Sequence, residues 1–406
     1  MEHDRSMLTM RQLNIGDLEQ FNSLLRYAFQ VTNQELASVG WDEDEIMRAK
    51  SPMLEQAYVI GWFHRDNLAS QIVVYNMQVN IHGRLYPMGG ITGVATYPEY
   101  AGRGLIHSLM RHCLEYMRQQ GQSVSFLYPY SIPFYRKQGW EIVSDKIKYV
   151  IKDVQLPKSK PVPGMIERVD IDHADLKAIN ARYAHQQHGV LLRDQLAWDE
   201  YWRWDVDDMV VAIYYDAQEA PQGYIVYYLE NDIFNIKEMV SLNSEAEQGL
   251  WNYISAHYSM ITEVHGANYT GEPMAFLLED SEIKETIRPY IMARIVDVET
   301  FLANFPFQVT FEDVRIHLKL TDPMAPWNQG DWLVSWQDGQ TRCQRCQSDV
   351  VDHTVQLDIQ TLTTLMLGYK RPSYLYKHKR LRAQPYMIAL LERLIPMEKP
   401  CFADYF

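Results

Sequence analysis

Val94-Ala95-Thr96-Tyr97-Pro98-Glu99-Tyr100-Ala101-Gly102-Arg103-Gly104-Leu105-Ile106 reads as a strand, a proline, a short basic glycine loop and the first turn of a helix. The first amides of a helix have no partner within it and point at any anion placed there. Glycine lets such an anion come close to the backbone, and Arg103 adds positive charge. The loop therefore has the physics of a pyrophosphate cradle. A plain tight turn is the other reading the residues allow.

The surroundings extend this unit. Downstream, a helix over 105–120 presents Leu105, Ile106, Leu109, Met110, Cys113, Leu114 and Met117 at helical spacing, and 124–128 reads as a strand. Upstream, strands are expected over 8–13, 57–63 and 69–81. Asp17 is expected to cap a helix carrying Leu18, Phe21, Leu24, Leu25, Ala28 and Phe29 on one apolar face. His82-Gly83 signals a hairpin turn leading back to the small-residue strand over 90–96. A strand over 147–154 is expected to close the unit. Pro157, Pro161 and Pro163 mark 156–164 as a linker.

A helix over 172–185, strands over 209–215, 223–230 and 234–242, and a helix capped by Ser244 repeat the first unit's order. This suggests a degenerate internal duplication. Ser241-Leu242-Asn243-Ser244-Glu245 stands where the glycine loop would be. A third unit holds strands over 310–320, 331–336 and 354–359, a helix over 361–367 ended by Gly368, and a last helix from Pro385 that stops before Pro396. The expected divisions are 1–155, 165–294 and 295–406.

Across 406 residues, 38 lysines and arginines against 52 aspartates and glutamates leave a net charge of −14. That sign disfavours nucleic acid and suits small cationic partners such as amines. With 47% apolar residues and no apolar run of membrane length, the chain reads as globular, with no membrane span and no secretory leader. Four cysteines suggest a reducing cytoplasm. Cys343 and Cys346 form a lone CxxC, so no metal is expected. Asp42-Glu43-Asp44-Glu45 reads as a solvated helix face, and His107 and His112 as surface residues.

The glycine loop, its helix, the next strand and Phe134-Tyr135-Arg136-Lys137-Gln138-Gly139-Trp140 together resemble the GNAT acyltransferases, which use acetyl-CoA. Their loop reads Arg/Gln-x-x-Gly-x-Gly/Ala. Here Ala101 replaces the first polar residue, removing one side-chain contact to phosphate and leaving the amide cradle. Three units with a defective second one, an apolar tail ending in Phe406, His188-Gly189-Val190-Leu191-Leu192-Arg193, Trp198-Asp199-Glu200 and Tyr369 resemble the Eis (enhanced intracellular survival) acetyltransferases over essentially the whole chain. The resemblance implies an α+β chain of tandem GNAT folds followed by a sterol-carrier-protein-like domain. It also implies a homo-oligomer, commonly a hexamer.

By position, the resemblance implies that Val94, Ala95 and Thr96 pair with the pantetheine arm. Gly102, Arg103, Gly104, Leu105, Ile106 and His107 would form the pyrophosphate loop, with Tyr130 and Ser131 a further coenzyme contact. Tyr135 would donate a proton and the Phe406 carboxylate would accept one. Composition supports the last point: Cys401, Phe402, Tyr405 and Phe406 favour burial of the tail. Tyr405 stands where the best-known relatives carry an acid, with Asp404 as the available replacement. The expected function is acetyl transfer from acetyl-CoA to a cationic amine: aminoglycoside-like, polyamine or lysine. A longer acyl chain is compatible with the sequence. The alternative is a ligand-binding protein that uses the sterol-carrier-like unit and keeps a vestigial acyltransferase.

Overall fold

The computed structural model describes residues 8–32, 43–203, 208–308, 315–337, 340–346 and 353–406, with side chains in the second stretch from residue 50 onward. Asp42 and the side chains of Glu43, Asp44 and Glu45 lie outside this description, as does the start of the strand expected over 310–320. No described helix is long and apolar enough to cross a membrane.

The first unit runs β1 (Leu8–Gln12), α1 (Leu18–Phe29), α2 (Glu43–Gln56), β2 (Tyr58–His64), β3 (Asn67–Ile81), β4 (Arg84–Thr96), α3 (Leu105–Gln119), β5 (Val124–Leu127), α4 (Ile132–Lys137) and β6 (Glu141–Ile142). β3 is buried on both faces. Val73, Tyr75 and Met77 share a core with Phe21 and Leu24 of α1 and with the C-terminal tail. Ile72 and Val74 pack with Leu109, Met110 and Cys113 of α3, as the period of two in a strand requires. Ala28 and Phe29, expected on the apolar face of α1, are exposed at the end of the helix. Asp17 occupies the N-cap position of α1 but makes no capping bond. Its carboxylate accepts two bonds from Arg11 (2.7 and 2.8 Å), and this charge-assisted pair takes the place of the expected cap.

The second unit contributes β7 (Asp145–Lys152), β8 (Met165–Val169), α5 (Ala174–Gln186), β9 (Leu191–Leu192), α6 (Gln195–Trp202), β10 (Val210–Tyr215), β11 (Pro221–Glu230), β12 (Ile233–Ser241), α7 (Ser244–Ser255), β13 (Glu263–Asn268), β14 (Lys284–Pro289) and β15 (Met292–Ile295). The strand expected to close the first unit does not do so. β7 pairs antiparallel with β13 and β14 in the second sheet. β15 takes the vacated place, inserted between β5 and β6. The first sheet is ordered β1-β2-β3-β4-β5-β15-β6, and the second β14-β7-β13-β12-β11-β10-β8. The alternation of Ile147, Tyr149 and Ile151 with lysines satisfies either sheet, so local periodicity does not choose between them. Asn243, not Ser244, caps α7, its side chain accepting from the Ala246 amide (2.8 Å).

The third unit is α8 (Val298–Asn304), β16 (Arg315–Thr321), β17 (Gly330–Gln337), β18 (Gln340–Arg345), β19 (Thr354–Asp358), α9 (Ile359–Met366), α10 (Pro372–Lys377) and α11 (Pro385–Leu394), with sheet order β18-β17-β16-β19. Cys343 lies on β18 and Cys346 just beyond it. One buried ion pair fastens this unit to the first sheet. Arg294 of β15 donates to both oxygens of Asp322 at 2.6 Å and to the Gln138 carbonyl. Neither side chain of the pair is exposed.

Removing one member of such a pair strands a buried charge. Asp322→Asn is expected to cost about 3 kcal/mol, read as a lower urea midpoint. The paired change Arg294→Met with Asp322→Leu should recover most of that loss. An unchanged midpoint for Asp322→Asn would show that Arg294 is stabilised by other means.

Candidate active site

The first sheet opens beside β4. β5 pairs parallel with β4 from Met88↔Val124 to Ile91↔Leu127 and then stops. β4 continues to Thr96 with β3 as its neighbour, and its register against β3 slips between Gln71 and Val73. Gly93 sits at that slip with a φ of +58°. A bulge there bends the strand and re-aims its backbone groups. Val94, Ala95 and Thr96 therefore line an edge that β5 leaves uncovered. On the β3 side, Thr96 Oγ1 lies 2.7 Å from Ser70 Oγ.

The glycine loop follows. Gly102 and Gly104 have φ of +74° and +78°, and a Cβ at either would meet open space. Backbone conformation, not crowding, is what favours glycine here. Gly104 is the N-cap of α3 and offers no side-chain cap. Ser108 N donates to Gly104 O (3.1 Å), so the amides of Leu105, Ile106 and His107 precede the first helical bond and remain available to an anion. Arg103 lies back on the loop's own start, donating to Glu99 O (3.3 Å). His107 Nδ1 meets Gln138 Oε1 (3.0 Å), joining the first turn of α3 to the end of α4. Ser131 is the N-cap position of α4 without a capping bond, and Tyr130 beside it is 91% exposed.

Tyr135 and Phe406 stand on opposite faces of this opening. Tyr135, on α4, packs in the α3-side core with Leu109, Met110 and Leu127. Burial pushes its phenol up to about 12, so it keeps its proton throughout the neutral range. Phe406 is 8% exposed and belongs to the other core. Its ring centroid is 6.0 Å from that of Tyr75, and a Cβ on Gly90 would come within 2.9 Å of it.

The tail reaches that place through a clamp built by the 188–193 motif. His188 O accepts from Cys401 N (2.9 Å). Gly189 lets Pro400 approach so closely that a Cβ would sit 2.4 Å from it. Leu191 and Leu192 form β9 against Val79 and Gln78. The Arg193 side chain is 2% exposed and divides its guanidinium between Asp404 (2.6 Å) and both oxygens of Glu238 (2.6 and 3.0 Å). Burial pushes Glu238 upward, but Arg193 outweighs it and keeps the carboxylate low. For Asp404, burial prevails and raises its pKa against the pull of Arg193. Asp404 is thus committed to holding the tail and does not replace an acid at position 405. Tyr405, expected to be buried, is 55% exposed.

Two cavities meet at this tail. A smaller one of about 260 Å³ is lined by Asn22, Arg26, Lys50, Thr92, Gly93 and Phe406, among others. A larger one of about 860 Å³ opens against the second unit. Glu200 and Tyr405 line both. In the sequence Glu200 stands out only within Trp198-Asp199-Glu200. Its carboxylate is 7% exposed, accepts from Tyr75 OH (2.6 Å) and pairs with Arg203. Lys50 carried no signal in the sequence.

A stacked pair of histidines completes the clamp. The rings of His82 and His188 stack at 3.6 Å. His82 N donates to His188 Nδ1 (3.1 Å), and His188 Nε2 bonds Leu367 O (3.0 Å). Hairpin, second unit and third unit thus converge where the tail begins. Burial lowers His82 to about 4 and His188 to about 3.

Residues 9–143 and 189–295 each match an acetyltransferase (GNAT) domain, and residues 298–403 match a sterol carrier protein domain. N-acetyltransferase Eis of Mycobacterium tuberculosis is 22% identical over 315 residues, covering 73% of this chain and 75% of that protein. An uncharacterized N-acetyltransferase of Streptomyces griseus is 23% identical over 71% of the chain and 74% of its own length. Among solved structures, a probable N-acyltransferase from Enterococcus faecalis is 29% identical, with a TM-score of 0.89 over 98% of this chain and 99% of that one. Eis1 from Mycobacterium abscessus shares the fold at 19% identity, with a TM-score of 0.81 over 98% of this chain and 100% of that one.

The histidine pair sets a pH dependence. Both folded values lie below the unfolded 6.5, so the unfolded chain binds more protons between about pH 4 and 6.5. Stability is then full above pH 6.5 and falls on acidification, by about 1.4 kcal/mol per pH unit for each ring. Urea midpoints measured between pH 7 and pH 5 should show this slope, and the double variant His82→Gln with His188→Gln should flatten it. An equal slope in that variant would assign the acid sensitivity elsewhere. Separately, Asp404→Asn should expose the tail to carboxypeptidase at least several-fold faster than in the parent, whereas an unchanged rate would mean that Arg193 does not restrain it.

Proposed function

We propose that this chain, an Eis-like acyltransferase of two GNAT domains and a sterol carrier domain, transfers the acetyl group of acetyl-CoA directly to a cationic primary amine. The observation that carries this reading is the opened first sheet, with an uncapped glycine-led helix and a buried phenol on one face and Phe406 on the other. In this reading, the pyrophosphate of the coenzyme rests on the amides at the start of α3. Its pantetheine arm pairs with the uncovered edge over 94–96, which brings the thioester to the bulge at Gly93.

The acceptor approaches from the other face, by way of the two cavities that share Glu200 and Tyr405. The larger is lined by Glu200, Glu238, Glu247, Glu272 and Asp404 together with Lys146, Arg193 and Lys237; Arg193 is engaged by Glu238 and Asp404, and the remaining carboxylates offer a negative wall to a cationic ligand. An alkyl amine near pKa 10 is mostly protonated at neutral pH and must lose a proton before it can attack. The terminal carboxylate of Phe406 is the group assigned to take it, directly or through water. The resulting oxyanion is stabilised by β4 amides at the bulge. As the C–S bond breaks, Tyr135 supplies a proton to the thiolate, and its raised pKa ensures that the proton is present. The nitrogen attacks the thioester itself, so no covalent enzyme intermediate is required.

A thiol-release assay with acetyl-CoA across monoamines, polyamines and aminoglycosides tests the reading, and amine-dependent release is expected. Tyr135→Phe should lower kcat by about 100-fold with little change in acetyl-CoA affinity. Loss of coenzyme affinity at unchanged kcat would remove Tyr135 from the donor role.

A further inference from the structure

One amine beside the proposed thioester position has no part in the mechanism. Lys50, on α2, lines the 260 Å³ cavity together with Thr92 and Gly93 of the β4 bulge and with Phe406. Lys50 therefore borders the small chamber to which the thioester and the proposed base are assigned. Arg26 and Glu200 also line this chamber, and Glu200 is itself paired with Arg203. Burial, reinforced by repulsion from Arg203 and partly offset by Glu200, pulls the Lys50 ammonium from 10.5 down to about 8. A sizeable share of the amine is then neutral, and so nucleophilic, at mildly alkaline pH.

We propose that Lys50 is an internal acetyl acceptor, modified by the chain's own active site when acetyl-CoA is bound. This rests on the functional reading above, because it uses the same thioester position. The neutral Nζ attacks the thioester carbonyl, an N–C bond forms and the C–S bond breaks. The nitrogen's proton goes to the Phe406 carboxylate or to water, and the departing CoA thiolate takes one from Tyr135. The products are Nε-acetyl-Lys50 and free CoA, and no further reactant is needed. The modification removes one positive charge from a chamber that must admit a cationic amine. The acetylated chain should accordingly bind its amine substrate more tightly than the unmodified chain.

The test incubates the full-length chain with acetyl-CoA alone and follows acetylation of each lysine by peptide mass spectrometry. The expected result is acetylation at Lys50 with a first-order rate independent of protein concentration, at least tenfold faster than at exposed Lys158, whose side chain is 78% accessible. The rate should fall about tenfold or more in Tyr135→Phe. Modification at the pace of Lys158, or an equal rate in the variant, would mark simple chemical acetylation and overturn the proposal. An amine substrate added in parallel separates the two claims. If the amine is acetylated while Lys50 is not, the proposal fails and the functional reading stands. If Lys50 is acetylated while no amine is, the proposal stands and the amine reading fails. Lys50→Gln, which lacks the charge, should lower KM for a cationic amine several-fold without requiring pre-incubation, whereas an unchanged KM would contradict the charge argument.

Discussion

A single buried guanidinium organises the site. Arg193, supplied by the second unit, stands between Glu238 of its own sheet and Asp404 of the C-terminal tail. Two carboxylates and one arginine taken out of water are costly apart and tolerable only together. That is why the last residues of the third unit do not fray. They are drawn across the second unit and laid on the first, with Phe402 and Phe406 filling apolar space beside Phe126 and Tyr75. The catalytic carboxylate proposed for Phe406 thus depends on a charge triad in which Phe406 takes no part.

The two GNAT units remain joined through their sheets. β7 and β15 exchange sheets, so neither sheet is complete without the other unit's segment. The second sheet repeats the parting of strands: β12 pairs with β13 only from Ile233↔Glu263 to Asn235↔His265. The chemistry at the following helix is reversed, however. Asn243 caps α7, and Glu245 and Glu247 occupy its first turn, where acidic side chains repel an anion that bare amides would otherwise attract. In the first unit the opening retains a glycine loop and free amides. In the second it has become one wall of a cavity rich in carboxylates.

Much of the fold was legible in the sequence because it is local. The His82-Gly83 turn, the glycine loop, the stripe from Leu105 to Met117 and the proline at the start of α11 each follow from a few neighbouring residues, and all appear in the structure. The apolar character of Phe402 and Phe406 also announced a buried tail. What stayed hidden depends on contacts between distant segments. The exchange of β7 and β15 leaves no trace in periodicity. Asp404 resembled a substrate-binding acid until Arg193, 211 residues away, was seen to hold it. Lys50 entered the chamber only through the packing of α2.

The central proposal is that the Phe406 carboxylate is the base. It is tested most directly by adding one glycine after Phe406, which moves the carboxylate one residue outward while leaving the aromatic ring and the Arg193 clamp in place. Measured by thiol release with a cationic amine, the extended chain should retain acetyl-CoA binding and stability but lose at least tenfold in kcat, with the loss largest at low pH, where the amine most needs deprotonation. Unimpaired turnover by the extended chain would contradict the account.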